Sequence, residues 1–205
     1  MTVSKSIHMY RKRNNELEII ALYRGNYRAR FYLRQISRLL KMPLKTCQNA
    51  LAGLEKGKVL KAKPEGKNKY FTLNQENLRA KSFLLQAEIH KTDAFLDTYP
   101  EFKMFLKALP ANVVVVLFGS FAKMTAGKDS DADILTITGK QESLPFHLLP
   151  YKVHQVALSE SAFLKSLAEQ EPLIKEIEQN HIILNNHSFY VNAMWGYYGK
   201  VSMVL

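Results

Sequence analysis

Residues 112–137 read NVVVVLFGSFAKMTAGKDSDADILTI, and this stretch decides the fold of the second half of the chain. Val113 to Phe118 is an unbroken apolar run rich in valine, the pattern of a strand buried on both faces. Gly119-Ser120 follows at once. Phe121 to Ala126 then has the length of a short helix, and Gly127-Lys128-Asp129-Ser130 forms a turn. Asp131-Ala132-Asp133 leads directly into a second apolar strand, Ile134 to Ile137. A small-residue turn between strand and helix lets backbone N–H groups and the Ser120 hydroxyl approach a triphosphate, and the helix N-terminus adds partial positive charge. Side chains alternate along a strand, so Asp131 and Asp133 point to one side. Two such carboxylates converge on a hard cation, and Mg²⁺ takes one or two carboxylates together with phosphate oxygens. Two metals held this way would stabilise the attacking and leaving oxygens of an in-line phosphoryl displacement.

Gly-Ser, ten residues and Asp-x-Asp, with Ser130 just before the first aspartate and a strand on either side, closely resembles a known signature. It is that of the DNA polymerase β-like nucleotidyltransferase superfamily, especially its minimal members. The resemblance covers residues 100–160. It implies a nucleoside triphosphate as ligand or substrate and Mg²⁺ as cofactor. Gly119 and Ser120 would hold the phosphates, Asp131 and Asp133 would bind the metal and serve catalysis, and Ser130 would support the loop. Lys123 or Lys128 would add positive charge near phosphate. Two departures stand out. Met124 occupies a position where members usually carry glycine, which permits backbone shapes that methionine does not. Active members also draw a third carboxylate from a later strand. Here the corresponding strand, Tyr151 to Leu158, contains no acid, and His154 or Gln155 takes that place. Glu142 and Glu160 lie outside it. The expectation is nucleotide binding, with catalysis left open.

The first third of the chain has a different character. The net charge is +11, but residues 1–75 hold 17 Lys and Arg against 4 Glu, while residues 76–205 are close to neutral. Such asymmetry suggests a polyanion-binding module attached to a neutral one. Met1–Asn15 is a polar, basic arm. Leu17, Ile20 and Tyr23 then share a helical face before Gly25. Leu33, Ile36, Leu39 and Leu40 mark a second helix from Tyr32 to Lys41. Met42-Pro43 interrupts it, since proline suits the first turn of the next helix. Cys47, Ala50, Leu51 and Leu54 form the apolar stripe of that third helix, Leu44 to Lys56, with Gly57 as a left-handed stop. Val59 to Lys63 and Lys69 to Leu73 flank a Pro64-Glu65-Gly66 turn and read as a β-hairpin.

Three helices and a basic hairpin in this order resemble a winged helix-turn-helix. The resemblance implies that the third helix enters the major groove of double-stranded DNA. Gln48 and Asn49 would read base edges, with Lys45 and Thr46 beside them. Arg34, Arg38, Lys61, Lys63, Lys67 and Lys69 would position the module on phosphates.

Asn74 reads as the N-cap of a long helix, Gln75 to Thr98, which joins the two parts and offers a face for a homodimer suited to paired DNA half-sites. Phe163, Leu164 and Leu167, and later Leu173, Ile174 and Ile177, mark an amphipathic helix, Asn180 to Leu184 suggests a strand, and Trp195, Tyr197 and Tyr198 read as core or dimer contacts. The longest apolar run is far short of the ~20 residues of a membrane span. No signal-peptide pattern is present, and the lone Cys47 excludes an intrachain disulfide. The expected fold is α+β, with a winged helix-turn-helix at 1–74, a linker helix at 75–100 and a nucleotidyltransferase-fold mixed sheet with helices at 101–205. The expected protein is cytoplasmic, without membrane contact. It is a transcriptional regulator that binds DNA, nucleotide and Mg²⁺, or else an enzyme that transfers a nucleoside monophosphate to the hydroxyl of a toxin-like protein partner or a nucleic acid.

Overall fold

A computed structural model of the chain describes residues 14–127, 129–139 and 143–201. Helix α1 (Asn15–Ala21) starts where the Asn14 side chain accepts the Leu17 N–H, and its last turn tightens into successive i→i+3 bonds before Gly25. A three-residue strand, β1 (Arg30–Tyr32), follows and was not legible in the sequence. It pairs with a later strand and confines helix α2 to Leu33–Leu39, shorter than the helical periodicity suggests. Helix α3 (Leu44–Lys56) buries the expected stripe of Cys47, Ala50, Leu51 and Leu54. Gly57 is right-handed, however, and the left-handed residue is its neighbour Lys58, at φ 55°.

Strands β2 (Leu60–Glu65) and β3 (Asn68–Leu73) form the hairpin, which turns at Gly66-Lys67 rather than at Pro64. Pro64 is tolerated inside β2 because that strand lies on the sheet edge. The order β1-β3-β2 gives a small antiparallel sheet whose inner face carries Phe31, Leu60, Phe71 and Leu73.

Helix α4 (Leu78–Thr98) begins three residues later than expected, capped by Asn77, whose side chain accepts the Arg79 N–H. Asn74 instead donates to the Lys58 carbonyl and ties the hairpin base to the loop after α3. The buried positions of α4 are Ala80, Leu84, Ala87, Glu88, Thr92 and Phe95, a continuous stripe at helical spacing. After α5 (Phe102–Lys107) come β4 (Val114–Phe118), the single turn α6 (Gly119–Ala122) and β5 (Ala132–Ile137). A 3₁₀ turn at Phe146–Leu148 precedes β6 (Val153–Leu158), then α7 (Glu160–Glu169), α8 (Pro172–Gln179), β7 (Ile182–Asn185) and α9 (His187–Val201).

The second sheet has the order β6-β5-β4-β7 and is mixed: β5 runs antiparallel to β4 and parallel to β6, and β7 runs antiparallel to β4. Strands β4, β5 and β7 read as near-continuous apolar runs because both their faces are covered, whereas β6 at the edge is only half-buried. Val113, Val115, Leu117, Ala132 and Ile134 pack with Phe95, Phe102, Phe105 and Phe121. On the other face Val114, Val116, Leu135 and Ile137 join α7, α8 and α9, and that cluster continues without interruption into Ile19, Ile20, Tyr23 and Leu51. The basic N-terminal part and the second sheet therefore share one hydrophobic core.

Candidate nucleotide site

The end of β4 and the start of β5 lie side by side, with Phe118 opposite Asp133. Next in the chain, Gly119 adopts φ 67°, and a Cβ there would overlap the Asp133 Oδ2 atom. Only glycine leaves room for that carboxylate against the turn. Asp131 and Asp133 flank the buried Ala132 and share the opposite face of the strand, both partly exposed. Asp133 thus lies against the Gly119-Ser120 turn, and Asp131 shares its face of the strand. Ser120 is half-buried, and its carbonyl accepts the Thr125 N–H at 3.0 Å, closing the turn behind α6. Ser130 holds the following loop through its hydroxyl, which accepts the Gly127 N–H at 2.9 Å.

The β6 side of the site is basic or neutral. Register places His154 beside Asp133, with Nδ1 3.3 Å from Oδ1, and Lys152 Nζ is 3.6 Å from Asp131 Oδ2. Gln155 points to the other face and donates to Thr136 Oγ1 at 2.9 Å. His154, not Gln155, is therefore the β6 residue that lies beside Asp133. Among the described residues, no group of three or more His, Cys, Asp or Glu gathers as a metal site. Lys123 pairs with Glu176 of α8, at 3.3 Å, and Lys128 lies outside the described residues, as does Glu142. Met124 stands at φ 57°, the left-handed conformation that glycine adopts without strain.

On the basic module, Lys45, Gln48 and Asn49 are exposed on α3, with Thr46 half-buried beside them, and Arg34 and Arg38 are exposed on α2. Lys61 pairs with Glu76 and Lys69 with Glu55, while Lys63 carries no ion pair among the described residues. Arg34, Lys67 and Lys69 come together with Tyr32, Leu33 and Asn68 around a cleft of about 420 Å³.

A buried charge cluster joins the two parts and left no signal in the sequence beyond one acid on the apolar stripe of α4. Glu88 is fully buried and accepts Arg24 Nε at 2.6 Å and His181 Nε2 at 3.2 Å. Arg24 also donates to the His181 carbonyl. Burial alone would raise the Glu88 carboxyl, but the Arg24 and His181 charges outweigh it and hold it down to about 2. Beside it, Thr92 donates to the Ile183 carbonyl, and burial lowers the His187 imidazole.

Residues 100–185, from just before α5 to the last residue of β7, match the family model of the nucleotidyltransferase domain. Comparisons with the curated proteins and with the solved structures find no match. No helix among the described residues is long and apolar enough to cross a membrane. The C-terminal part of the chain therefore carries a nucleotidyltransferase-like domain, with Gly119, Ser120, Asp131 and Asp133 inside the matched segment.

Proposed function

We propose that this protein is a DNA-binding regulator of transcription whose nucleotidyltransferase-like domain holds a nucleoside triphosphate with Mg²⁺ and has reduced catalytic capacity. The observation that carries the nucleotide reading is the seating of the Asp133 carboxylate against Gly119. It puts acid oxygens beside a turn whose backbone and Ser120 hydroxyl suit phosphate. The donor set fits Mg²⁺, a hard ion that takes one or two carboxylates and completes its shell with phosphate oxygens and water. Bound there, the ion would neutralise phosphate charge beside the two acids. Asp131 and Asp133 would hold it, Gly119 and Ser120 would orient the phosphates, and Ser130 keeps the loop in shape.

The reduced capacity follows from β6. His154 and Lys152 bring donor groups toward the two aspartates where a third carboxylate would accept the acceptor hydroxyl's proton. Isothermal titration with a non-hydrolysable triphosphate and Mg²⁺ tests the binding: saturable heat is expected in the full chain and at least a tenfold weaker affinity in Asp133→Asn. Equal affinity in the two proteins would falsify the site.

The DNA reading is supported by the free face of α3, where Lys45, Gln48 and Asn49 are exposed, and by the cations on α2 and the hairpin. Duplex binding should weaken steeply with salt, because each phosphate contact releases a counterion. Filter binding at low salt that finds no duplex retained removes this reading.

The intact Asp131 and Asp133 pair also favours a second reading, transfer of a nucleoside monophosphate to a hydroxyl on a toxin-like protein or a nucleic acid. It predicts Mg²⁺-dependent pyrophosphate release that disappears in Asp131→Ala.

A further inference from the structure

The second sheet has two edges, β6 and β7. The β7 edge is covered by α4, whose Thr92 donates to the Ile183 carbonyl at 2.7 Å. The β6 edge is bare, since no described residue pairs with its outer side. The Lys152 and Leu158 carbonyls accept the Ala132 and Thr138 N–H groups at 2.8 and 3.1 Å, so the even-numbered backbone groups of this segment face β5. In a parallel ladder the alternate residues face away, so Val153, Gln155 and Ala157 each present an N–H and a C=O outward.

Proteins blunt such edges with prolines, bulges, charges or covering loops. Among the described residues none of these guards appears along β6. Its register runs unshifted from Ala132↔Val153 to Ile137↔Leu158, and it contains no Pro, Lys, Arg, Asp or Glu. The two long polar side chains lean back over the sheet, His154 onto Asp133 and Gln155 onto Thr136, which leaves the rim clear.

We propose that β6 pairs antiparallel with β6 of a second copy of this chain, about a twofold axis at Gln155, so that the two sheets become one. The strand is complementary to itself, and this selects a second copy over a foreign strand. Val153 faces Ala157 of the other copy and Gln155 faces Gln155, so every outward N–H and C=O of these residues finds a partner. On the other face of the ribbon, Lys152 meets Leu158 and His154 meets Val156, so no like charges oppose each other. The half-buried Val156 and Leu158 gain cover in the same step. This seam differs from α4, the face the sequence offered for dimerisation, and it brings two basic modules into one particle. Nucleotide plays no part in it.

Sedimentation equilibrium of the full chain without nucleotide, from about 1 to about 100 µM, spans the range of weak protein–protein interfaces. The average mass is expected to rise from 23.5 kDa toward twice that value. Ala157→Pro removes an outward N–H while leaving the β5 ladder intact, and should keep the protein monomeric with an unchanged far-UV spectrum. Gln155→Cys should cross-link on oxidation, because directly opposed Cα atoms about 5.5 Å apart suit a disulfide. Lys175→Cys, exposed on α8, should not, and the native Cys47 is buried. A chain that stays monomeric throughout, or a dimer that survives in folded Ala157→Pro without cross-linking through Gln155→Cys, overturns the proposal. If Ala157→Pro does not fold, the cross-linking result decides alone. Nucleotide titration of the same samples is read separately, so failure of the seam leaves the nucleotide site standing.

Discussion

Gly119 stands at φ 67° with the Asp133 carboxylate in the space where a side chain would project, so a single methyl group there has two consequences. It puts an L-residue in the left-handed region, at roughly 1–2 kcal/mol, and it pushes the carboxylate away from the turn. Gly119→Ala is therefore expected to lower the thermal midpoint modestly and to weaken nucleotide binding more than tenfold by titration. A variant that binds as tightly as the parent would show that the contact is incidental. Most of this site was legible in residues 112–137, because strand alternation alone puts Asp131 and Asp133 on one side. What spacing could not supply was the choice at β6. His154 and Gln155 are adjacent and look alike in sequence, and only the parallel register with β5 shows that His154 shares the face of Asp133. Met124 differs: the resemblance marked it as standing where glycine is usual, and the structure gives the left-handed backbone, at φ 57°, that glycine would adopt without strain.

Among the elements, the helices of the first half were read well and their ends less well. By contrast, α5 and α9 went unread, and the amphipathic helix expected between 163 and 177 is divided into α7 and α8 at the left-handed Gln170. The α3 stripe follows from periodicity and the two buried strands from their unbroken apolar runs. The cap of α4 was misplaced, because Asn74 and Asn77 have the same chemistry and differ only in what lies nearby, the Lys58 carbonyl for one and the free Arg79 N–H for the other. Asn77→Ala should cost about 1 kcal/mol of stability, the usual worth of an N-cap, measured by urea unfolding. Strand β1 escaped notice since three residues carry no periodicity, and it exists through pairing with β3. This small sheet also sets an expectation for DNA. Lys63 and Lys67 carry no ion pair among the described residues, whereas Lys61 and Lys69 are engaged by Glu76 and Glu55. Lys63→Ala and Lys67→Ala should each reduce the slope of log affinity against log salt by about 0.9 if each meets one phosphate. Unchanged slopes in both would take the hairpin out of the DNA contact.

At the level of the whole molecule, charge asymmetry suggests two parts, yet the apolar residues bind them into one core. Tyr27 stacks on Tyr198 and packs near Trp195, and Arg24 reaches across to Glu88 and His181. The two parts should therefore unfold together. Trp195 is the only tryptophan in the chain and sits at their junction, so its fluorescence and the far-UV signal should give coincident urea transitions; separated midpoints would mean independent units. The charge cluster at the junction adds a pH signature. The folded Glu88 carboxyl, at about 2, lies below its ordinary 4.5, so the unfolded chain takes up a proton first as pH falls. The stability that Glu88 contributes is thus fully present above about 4.5 and drains away between there and about 2. Glu88→Gln leaves Arg24 facing a neutral amide in a nearly closed site, at a cost of roughly 3–5 kcal/mol. It should also flatten the acid limb of the stability profile. A parent whose unfolding free energy is level from pH 5 to pH 2.5, or a variant with the same acid slope as the parent, would mean that Glu88 does not carry its charge at the junction.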